Sequence, residues 1–265
     1  GAYMAGFLGS LTGLGGGVII IPLLTLVFHV DIRYAIGAAL LASIATSSGA
    51  ASAYVKEGIT NIRLGMFLEI ATTIGAVIGA FIAIYMPTNA IAVIFGVVLI
   101  FSAAMTVRKK HEAKLTKGSK LSEKLKLNST YPVNGEKVSY QLTNVAGGFS
   151  LMTLAGVLSG LLGIGSGSLK VLAMDSTMKI PFKVSTTTSN FMIGVTAAAS
   201  AVVYLQRGYM DPGIAFPVVL GVLAGALTGA KILPKINPKI LRIIFAVAIT
   251  AVAIEMIING INHKF

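Results

Sequence analysis

Six long stretches of this chain are nearly free of charge, and each is about as long as a helix that crosses a membrane. They are residues 34–55, 64–86, 88–107, 184–206, 213–230 and 243–261. A helix of roughly 20 apolar residues spans the hydrocarbon core of a bilayer, which is about 30 Å thick. In addition, 55% of all residues are hydrophobic and only 11% are charged, unlike the balance of a soluble domain. The stretches therefore predict an all-α, multi-pass integral membrane protein of the cell membrane.

The two halves of the chain repeat each other at a constant offset of 150 residues. Glycines recur in pairs at 6 and 156, 13 and 163, 15 and 165, 17 and 167, 58 and 208, 75 and 225, and 79 and 229. Glycine suits positions where backbones approach closely or adopt positive φ, so shared glycines predict shared backbone geometry. We expect a first membrane repeat over 1–107, a basic loop over 108–139 and a second membrane repeat over 140–265. The segment before Gly6 is short, which predicts an incomplete first element, and it lacks a signal-peptide pattern.

The basic residues indicate how the halves are oriented. Nine of the 21 Lys and Arg lie between 108 and 137, and short cytoplasmic loops are enriched in these residues. We therefore expect the loop 108–139 to be cytoplasmic rather than a nucleic-acid site. If 142–178 turns back at its glycines, Lys179, Lys183 and the basic residues after 230 join that loop in the cytoplasm. Four simple crossings in each half would instead place these residues outside.

The turned-back arrangement makes the halves inverted repeats. Each half then holds a broken or re-entrant glycine-turn helix element plus three transmembrane helices. Transporters with inverted repeats bind their substrate at the repeat interface, near the middle of the membrane.

Two glycine clusters, at 13–17 and 163–167, stand just before short apolar stretches. Each predicts a non-helical turn that exposes backbone N–H groups where a half-helix begins, which is a favourable seat for an anion. The alternative is close helix packing through glycine, which is how we interpret Gly75 and Gly79. The candidate substrate ligands from the clusters are Gly15, Gly16, Gly17, Gly165, Ser166 and Gly167.

A run of polar residues opens the span that follows Lys183. Hydroxyls and an amide can replace water around an oxyanion, so the candidate ligands here are Ser185, Thr186, Thr187, Ser189 and Asn190. The alternative is a helix cap with hydroxyls bonded to backbone carbonyls one turn earlier. The counterpart residues 35–40 are apolar, so the first half is expected to contribute from deeper positions, with Thr46 as the candidate and Ser43, Ser47 and Ser48 beside it.

Three charged residues lie within apolar segments. Ionisable groups inside a membrane are functional candidates: Lys170 is a candidate anion ligand that could equally extend to the cytoplasmic face, and Glu69 and Glu255 are candidate proton carriers. There is no cysteine, the three histidines have no metal-ligand spacing, and neither glycine cluster is a P-loop. With no paired carboxylates or activated nucleophile in the pattern, we expect neither an enzyme nor a cofactor or metal.

Both halves follow one pattern. A glycine turn and a short apolar helix are followed by Arg33 or Lys183, by a span that ends at Tyr54 or Tyr204, and by Gly58 or Gly208. This pattern resembles the TauE/SafE sulfite exporter family, also called toluene sulfonate uptake permeases, and the stretch 184–194 is similar to its second repeat. Family members often have Gly-Thr-Ser where this chain has apolar residues at 37–39.

The resemblance implies a secondary active transporter of small sulfur-containing anions such as sulfite, thiosulfate, sulfoacetate or other organosulfonates. It implies transport driven by an ion gradient, with a proton or sodium as the coupling ion, and alternating access is the expected mechanism. An anion channel and, as a weaker alternative, an intramembrane enzyme stay open.

Overall fold

The computed structural model describes residues 1–12, 16–56, 58–107, 118–133, 136–232 and 238–264. This described part is almost entirely helical, as expected of an all-α membrane protein. Its helices are α1 (Ala2–Thr12), α2 (Gly17–Pro22), α3 (Ile32–Lys56), α4 (Ile62–Tyr85), α5 (Thr88–Val107), α6 (Lys120–Lys124), α7 (Val145–Leu162), α8 (Gly167–Leu172), α9 (Phe182–Gln206), α10 (Pro212–Ile232) and α11 (Pro238–Ile261). Single π-helical turns, Leu23–Val27 and Ala173–Thr177, continue α2 and α8.

Five helical segments of the described chain are long and apolar enough to cross a membrane. They are Ile62–Tyr85, Thr88–Met105, Val145–Leu162, Phe182–Gln206 and Pro212–Gly229. The predicted spans 34–55 and 243–261 fall within α3 and α11, which have 25 and 24 residues. Many bulky side chains on these helices are exposed, such as Phe216 and Leu220, as expected where the outer surface faces lipid. The protein is therefore a multi-pass, all-α membrane protein.

The same elements recur in the two halves at the offset of 150. The bounds 17–22 of α2 return as 167–172 in α8, those of α3 return in α9, and the π turn after α2 returns after α8. Contacts between helices also repeat: α1 packs along α10 as α7 packs along α4, while α3 packs against α9 and α5 against α11. The helix pairs thus correspond under the offset: the pair of α1 and α10 is equivalent to the pair of α7 and α4.

Glycines let the exchanged pairs approach each other closely. A Cβ built on Gly79 of α4 would lie 2.0 Å from the carbonyl oxygen of Val157, and one on Gly160 of α7 would lie 1.9 Å from that of Ala76. The equivalent pair has the same character, because a Cβ on Gly225 would lie 2.0 Å from the carbonyl oxygen of Tyr3. Our interpretation of these glycines as packing faces agrees with the structure.

The segment after the second glycine cluster returns to the level at which α7 began. The backbone N–H of Thr143, just before α7, donates to the carbonyl oxygen of Met178 over 3.1 Å, and its hydroxyl donates to that of Thr177 over 3.4 Å. In the first half, Gly1 at the start of α1 lies against the side chain of Leu23 in the π turn. Each half therefore contains a helix followed by a short segment that runs back, so that the start of the helix lies beside the returning segment.

The described part of the basic segment is a small folded unit rather than a plain loop. It contains α6 and a β-hairpin in which β1 (Ser129–Val133) pairs antiparallel with β2 (Glu136–Tyr140). Asn61, which caps α4, donates its amide to the carbonyl oxygen of Leu127 and to the hydroxyl of Tyr140 over 2.9 and 2.8 Å. Burial raises the pKa of Tyr140 to about 12, so this hydroxyl stays protonated at neutral pH. The unit is thus fastened to the ends of α4, α7 and α9 through a shared apolar cluster.

Candidate anion site

The second glycine cluster interrupts the helix, as predicted. Gly163 ends α7 with φ at +68°, Gly165 has φ at +69° and Ser166 has φ at +47° before α8 begins at Gly167. Left-handed backbone of this kind cannot continue a helix and costs little at glycine. The turn leaves the first amide groups of α8 without partners from a preceding turn.

The first cluster is partly described. Gly13, Leu14 and Gly15 lie outside the described residues, so the predicted ligand Gly15 has no structural account here. Helix α1 ends at Thr12 and α2 begins at Gly17, after Gly16. A Cβ on Gly16 would lie 3.1 Å from the hydroxyl oxygen of Thr46, which places this predicted first-half ligand beside the turn.

The described end of the first cluster meets the second turn in the interior of the protein. A Cβ built on Gly17 would lie 2.8 Å from the carbonyl oxygen of Gly163 and 3.0 Å from the hydroxyl oxygen of Ser43. Helix α3 carries Ser43 and Thr46 past this point, and α9 packs against α3. The duplicated elements thus converge where the repeat interface lies.

Two hydroxyls at this convergence have no hydrogen-bond partner in the described structure. They are Ser43 Oγ and Ser166 Oγ, on side chains that are 0% and 1% exposed. A buried hydroxyl without a partner costs free energy, so such groups commonly mark a site that binds something else. Ser159 Oγ, one helical turn before Gly163, is likewise buried without a partner among the described residues.

The polar run at the start of α9 divides into structural and site-directed residues. Ser185 Oγ donates to the carbonyl oxygen of Ile180, and Thr187 Oγ1 donates to those of Lys183 and Val184. This is the local bonding of the alternative interpretation, and it keeps both hydroxyls away from the turns. Thr186 Oγ1 is buried without a partner among the described residues.

Ser189 and Asn190 do lie at the second turn or at the repeat interface. Ser189 Oγ donates to the carbonyl oxygen of Gly167 over 3.1 Å. The carbonyl oxygen of Asn190 accepts a hydrogen bond from Ser47 Oγ of α3, which in turn accepts from the backbone N–H of Gly194 over 3.0 Å. Ser47 therefore joins the two halves, and the buried side chain of Asn190 lies beside that junction.

Lys170 is fully buried and does not extend to the cytoplasmic face. Its Nζ donates to Thr196 Oγ1 over 2.6 Å, and Thr196 Oγ1 lies 2.6 Å from Glu69 Oε1. Glu69 Oε1 also accepts from Thr73 Oγ1 over 3.3 Å, whereas Oε2 is buried without a partner among the described residues. Two of the three charges noted in the sequence thus belong to one buried cluster.

Thr196 was not among the predicted ligands. Its position is the repeat counterpart of Thr46, since 46 plus 150 is 196, and that correspondence is the sequence signal that could have identified it. Glu255, the other candidate proton carrier, is exposed on α11, and no contact joins it to the buried cluster in the described structure.

Comparison with known proteins agrees with this architecture. The family model described as sulfite exporter TauE/SafE matches residues 1–256. The chain is 31% identical over 225 residues to the "Probable membrane transporter protein YunE" of Bacillus subtilis (strain 168), covering 82% of this chain and 81% of that protein.

Two further relatives carry similar names. "Probable membrane transporter protein YdhB" of the same organism is 26% identical, with 83% of both chains covered. "Probable membrane transporter protein MJ0441" of Methanocaldococcus jannaschii is 25% identical, covering 78% of this chain and 72% of that protein. No solved structure matches the chain. Two repeats built around interrupted helices, a buried polar centre and a family match that covers nearly all of the sequence lead to one conclusion: this chain belongs to the TauE/SafE sulfite exporter family of membrane transporters.

Proposed function

We propose that the protein is a secondary active transporter that carries small sulfur-containing anions across the cell membrane by alternating access. The substrates would be sulfite, thiosulfate, sulfoacetate or another organosulfonate, moved at the expense of an ion gradient. The observation that carries this proposal is the convergence of two glycine turns beside unpartnered hydroxyls and a buried lysine. The anion would lie there, between the two repeats.

The chemistry of the convergence suits an oxyanion. Ser43 and Ser166 offer hydroxyl donors that the fold leaves unused, and Lys170 supplies a positive charge one helical turn beyond Gly167. The amide groups that open α8 would add partial positive charge at the same turn. An anion with several oxygen atoms can accept from all of these donors at once, and the family's printed description as a sulfite exporter supports a sulfur oxyanion.

Burial favours a carrier over a channel. Ser43, Ser166 and Lys170 are 0%, 1% and 0% exposed, so water and anions have no open path to them in this conformation. Access then requires the packed halves to separate on one side at a time, which is the defining motion of alternating access. A channel needs a continuous polar path, and we keep it as the second candidate. An intramembrane enzyme remains without a supporting observation.

The returning segments support inverted repeats. Because the chain leaves along α7 and is back beside Thr143 at Met178, each half would hold one re-entrant element and three crossings. An odd number of crossings turns the second half over relative to the first. The folded unit at 118–140 lies at the same end as the start of α9, and its lysines would make that end cytoplasmic.

Purified protein in proteoliposomes provides the test. Sulfite, thiosulfate, sulfoacetate, sulfate and chloride are offered as inward gradients, with counterflow measured after preloading. A carrier gives saturable uptake and accelerated exchange of its preferred anion, whereas a pore gives non-saturating conductance without exchange. Ser189→Ala and Asn190→Leu are expected to weaken binding of that anion, and Ser150→Ala on the exposed face of α7 is the matched control. Equal affinity in all three variants would contradict the assigned site.

A further inference from the structure

We infer that Glu69 is the proton-binding group of the transport cycle, and that it and the transported anion compete for the Lys170 ammonium. This inference rests on the proposed function. Binding of one anion to the ammonium would place one proton on Glu69, so that anion and proton move together. For a singly charged anion, such as an organosulfonate, the net charge of the buried centre then stays the same: a carboxylate beside the ammonium is replaced by a neutral acid and an anion.

The geometry provides one cation for two negative partners. Lys170 Nζ has three N–H donors, and the single partner in the described structure is Thr196 Oγ1 at 2.6 Å. The same threonine oxygen lies 2.6 Å from Glu69 Oε1. The threonine hydroxyl therefore accepts from the ammonium and can donate to the carboxylate. Donors remain on Lys170 for an anion at the adjacent glycine turn.

Burial makes the competition strong. Lys170 is 0% exposed and Glu69 is 8% exposed, so little water screens one charge from another. Two anions beside one ammonium in such surroundings repel each other. The repulsion disappears when the carboxylate takes up a proton. A protonated Glu69 also gains a donor on a side chain whose Oε2 is buried and unpartnered.

Apart from Lys170 itself, the described elements that pack around Glu69 place no second titratable group beside it. Helix α7, which packs along α4, has no titratable side chain in its sequence, and neither has α5. Lys183 and Tyr204 of α9 stand near its two ends, Lys170 is the charge on α8, and Asp175 lies beyond α8 in the π turn. On α4 itself, Arg63 and Tyr85 stand at the ends, and the groups that face Glu69 from the middle turns are threonines.

The repeat argues for one proton per cycle. Adding or subtracting 150 converts Lys170 into Ile20, Glu69 into Val219 and Thr196 into Thr46. The threonine is thus present in both halves, while charged partners occur only around Thr196. The equivalent positions around Thr46 are the apolar residues Ile20 and Val219. Because the equivalent positions in the other half are apolar, helix packing alone does not require the charges of Lys170 and Glu69.

Isothermal titration calorimetry in two buffers of different ionisation enthalpy counts protons taken up on binding. The ligand is methanesulfonate, a small organosulfonate whose charge stays at −1 near neutral pH. Wild-type protein is expected to take up about one proton per anion, and its affinity to fall about tenfold for each pH unit of increase wherever binding takes up one full proton. Glu69→Gln should bind with no proton uptake and with an affinity independent of pH.

Two further variants keep the inference open to contradiction if Glu69→Gln does not fold. Thr196→Ser retains the bridging hydroxyl and should keep the proton uptake, whereas Thr196→Val removes it and should weaken the coupling. Glu255→Gln, on the exposed face of α11, should behave as wild type. Binding without proton uptake in wild type, unchanged uptake in Glu69→Gln, or sodium dependence in its place would overturn the inference and leave the proposed function standing. Failure of every anion to bind would contradict the proposed function itself, and the inference with it.

Discussion

At the scale of single residues, the polar groups inside this protein fall into those that the fold satisfies and those that it leaves open. Ser185 and Thr187 bond to nearby carbonyl oxygens, and their role follows from local helix chemistry. The hydroxyls of Ser43 and Ser166 have no hydrogen-bond partner among the described residues. The sequence alone singled out Lys170 and Glu69 as charges in apolar surroundings, but their common partner Thr196 comes from a third helix. Contacts between distant segments decided that arrangement, and a local pattern does not contain them.

The buried charges should depend on each other for stability. Lys170→Met leaves Glu69 as a buried carboxylate without a cation, so we expect it to lower the free energy of unfolding by about 3 kcal/mol. Adding Glu69→Gln to the same chain should restore most of that loss. Chemical denaturation in detergent, arranged as a double-mutant cycle, measures the difference. Strictly additive effects would show that the two side chains do not interact.

At the scale of helices, glycine decides which pairs form. The glycines of the first half predicted close packing before any partner was known, and the structure identifies the partner: α4 packs against α7 of the other half, and α10 against α1. The length and low charge of six stretches also predicted the spans, since all six coincide with long helices. The hairpin in the basic segment was missed because its strands are short and mostly exposed, so they lack an apolar run that would reveal them.

A methyl group at one of these crossings should separate the helices. Gly160→Ala would place a Cβ 1.9 Å from the carbonyl oxygen of Ala76, and backbone cannot yield as a flexible side chain can. We expect a loss of about 1–3 kcal/mol in the free energy of unfolding. Gly49→Ala is the matched control, because its Cβ would meet nothing closer than 3.7 Å and alanine favours the helix. Thermal unfolding of the two variants should differ clearly, and equal midpoints would contradict the packing role.

At the scale of the whole molecule, the offset of 150 residues is the feature that organises both structure and function. It predicted two glycine turns, of which the structure describes the second, and the bounds of α3 return in α9 at this offset. The sequence could not show that the turns meet, since that depends on how the halves pack. It also could not show that Glu69 of the first repeat meets Lys170 and Thr196 of the second.

The inverted arrangement predicts which ends of the protein face the cytoplasm. The chain has no native cysteine, so a single cysteine in place of exposed Lys183 or exposed His263 reports its own side. An impermeant maleimide added to whole cells should label the cysteine at 263 and should reach the one at 183 only after permeabilisation. Labelling at 183 from outside would contradict the inverted topology.

The central claim is that the two turns hold an anion between Ser43 and Ser166, and equilibrium binding to the purified protein tests it most directly. A hydroxyl that donates to a charged ligand contributes about 1.5–3 kcal/mol, so Ser43→Ala combined with Ser166→Ala should weaken binding of the preferred anion by at least about 100-fold. Because neither hydroxyl has a partner among the described residues, the thermal midpoint of the double variant without anion should not fall below that of wild type. An affinity in the double variant equal to that of wild type would contradict the claim.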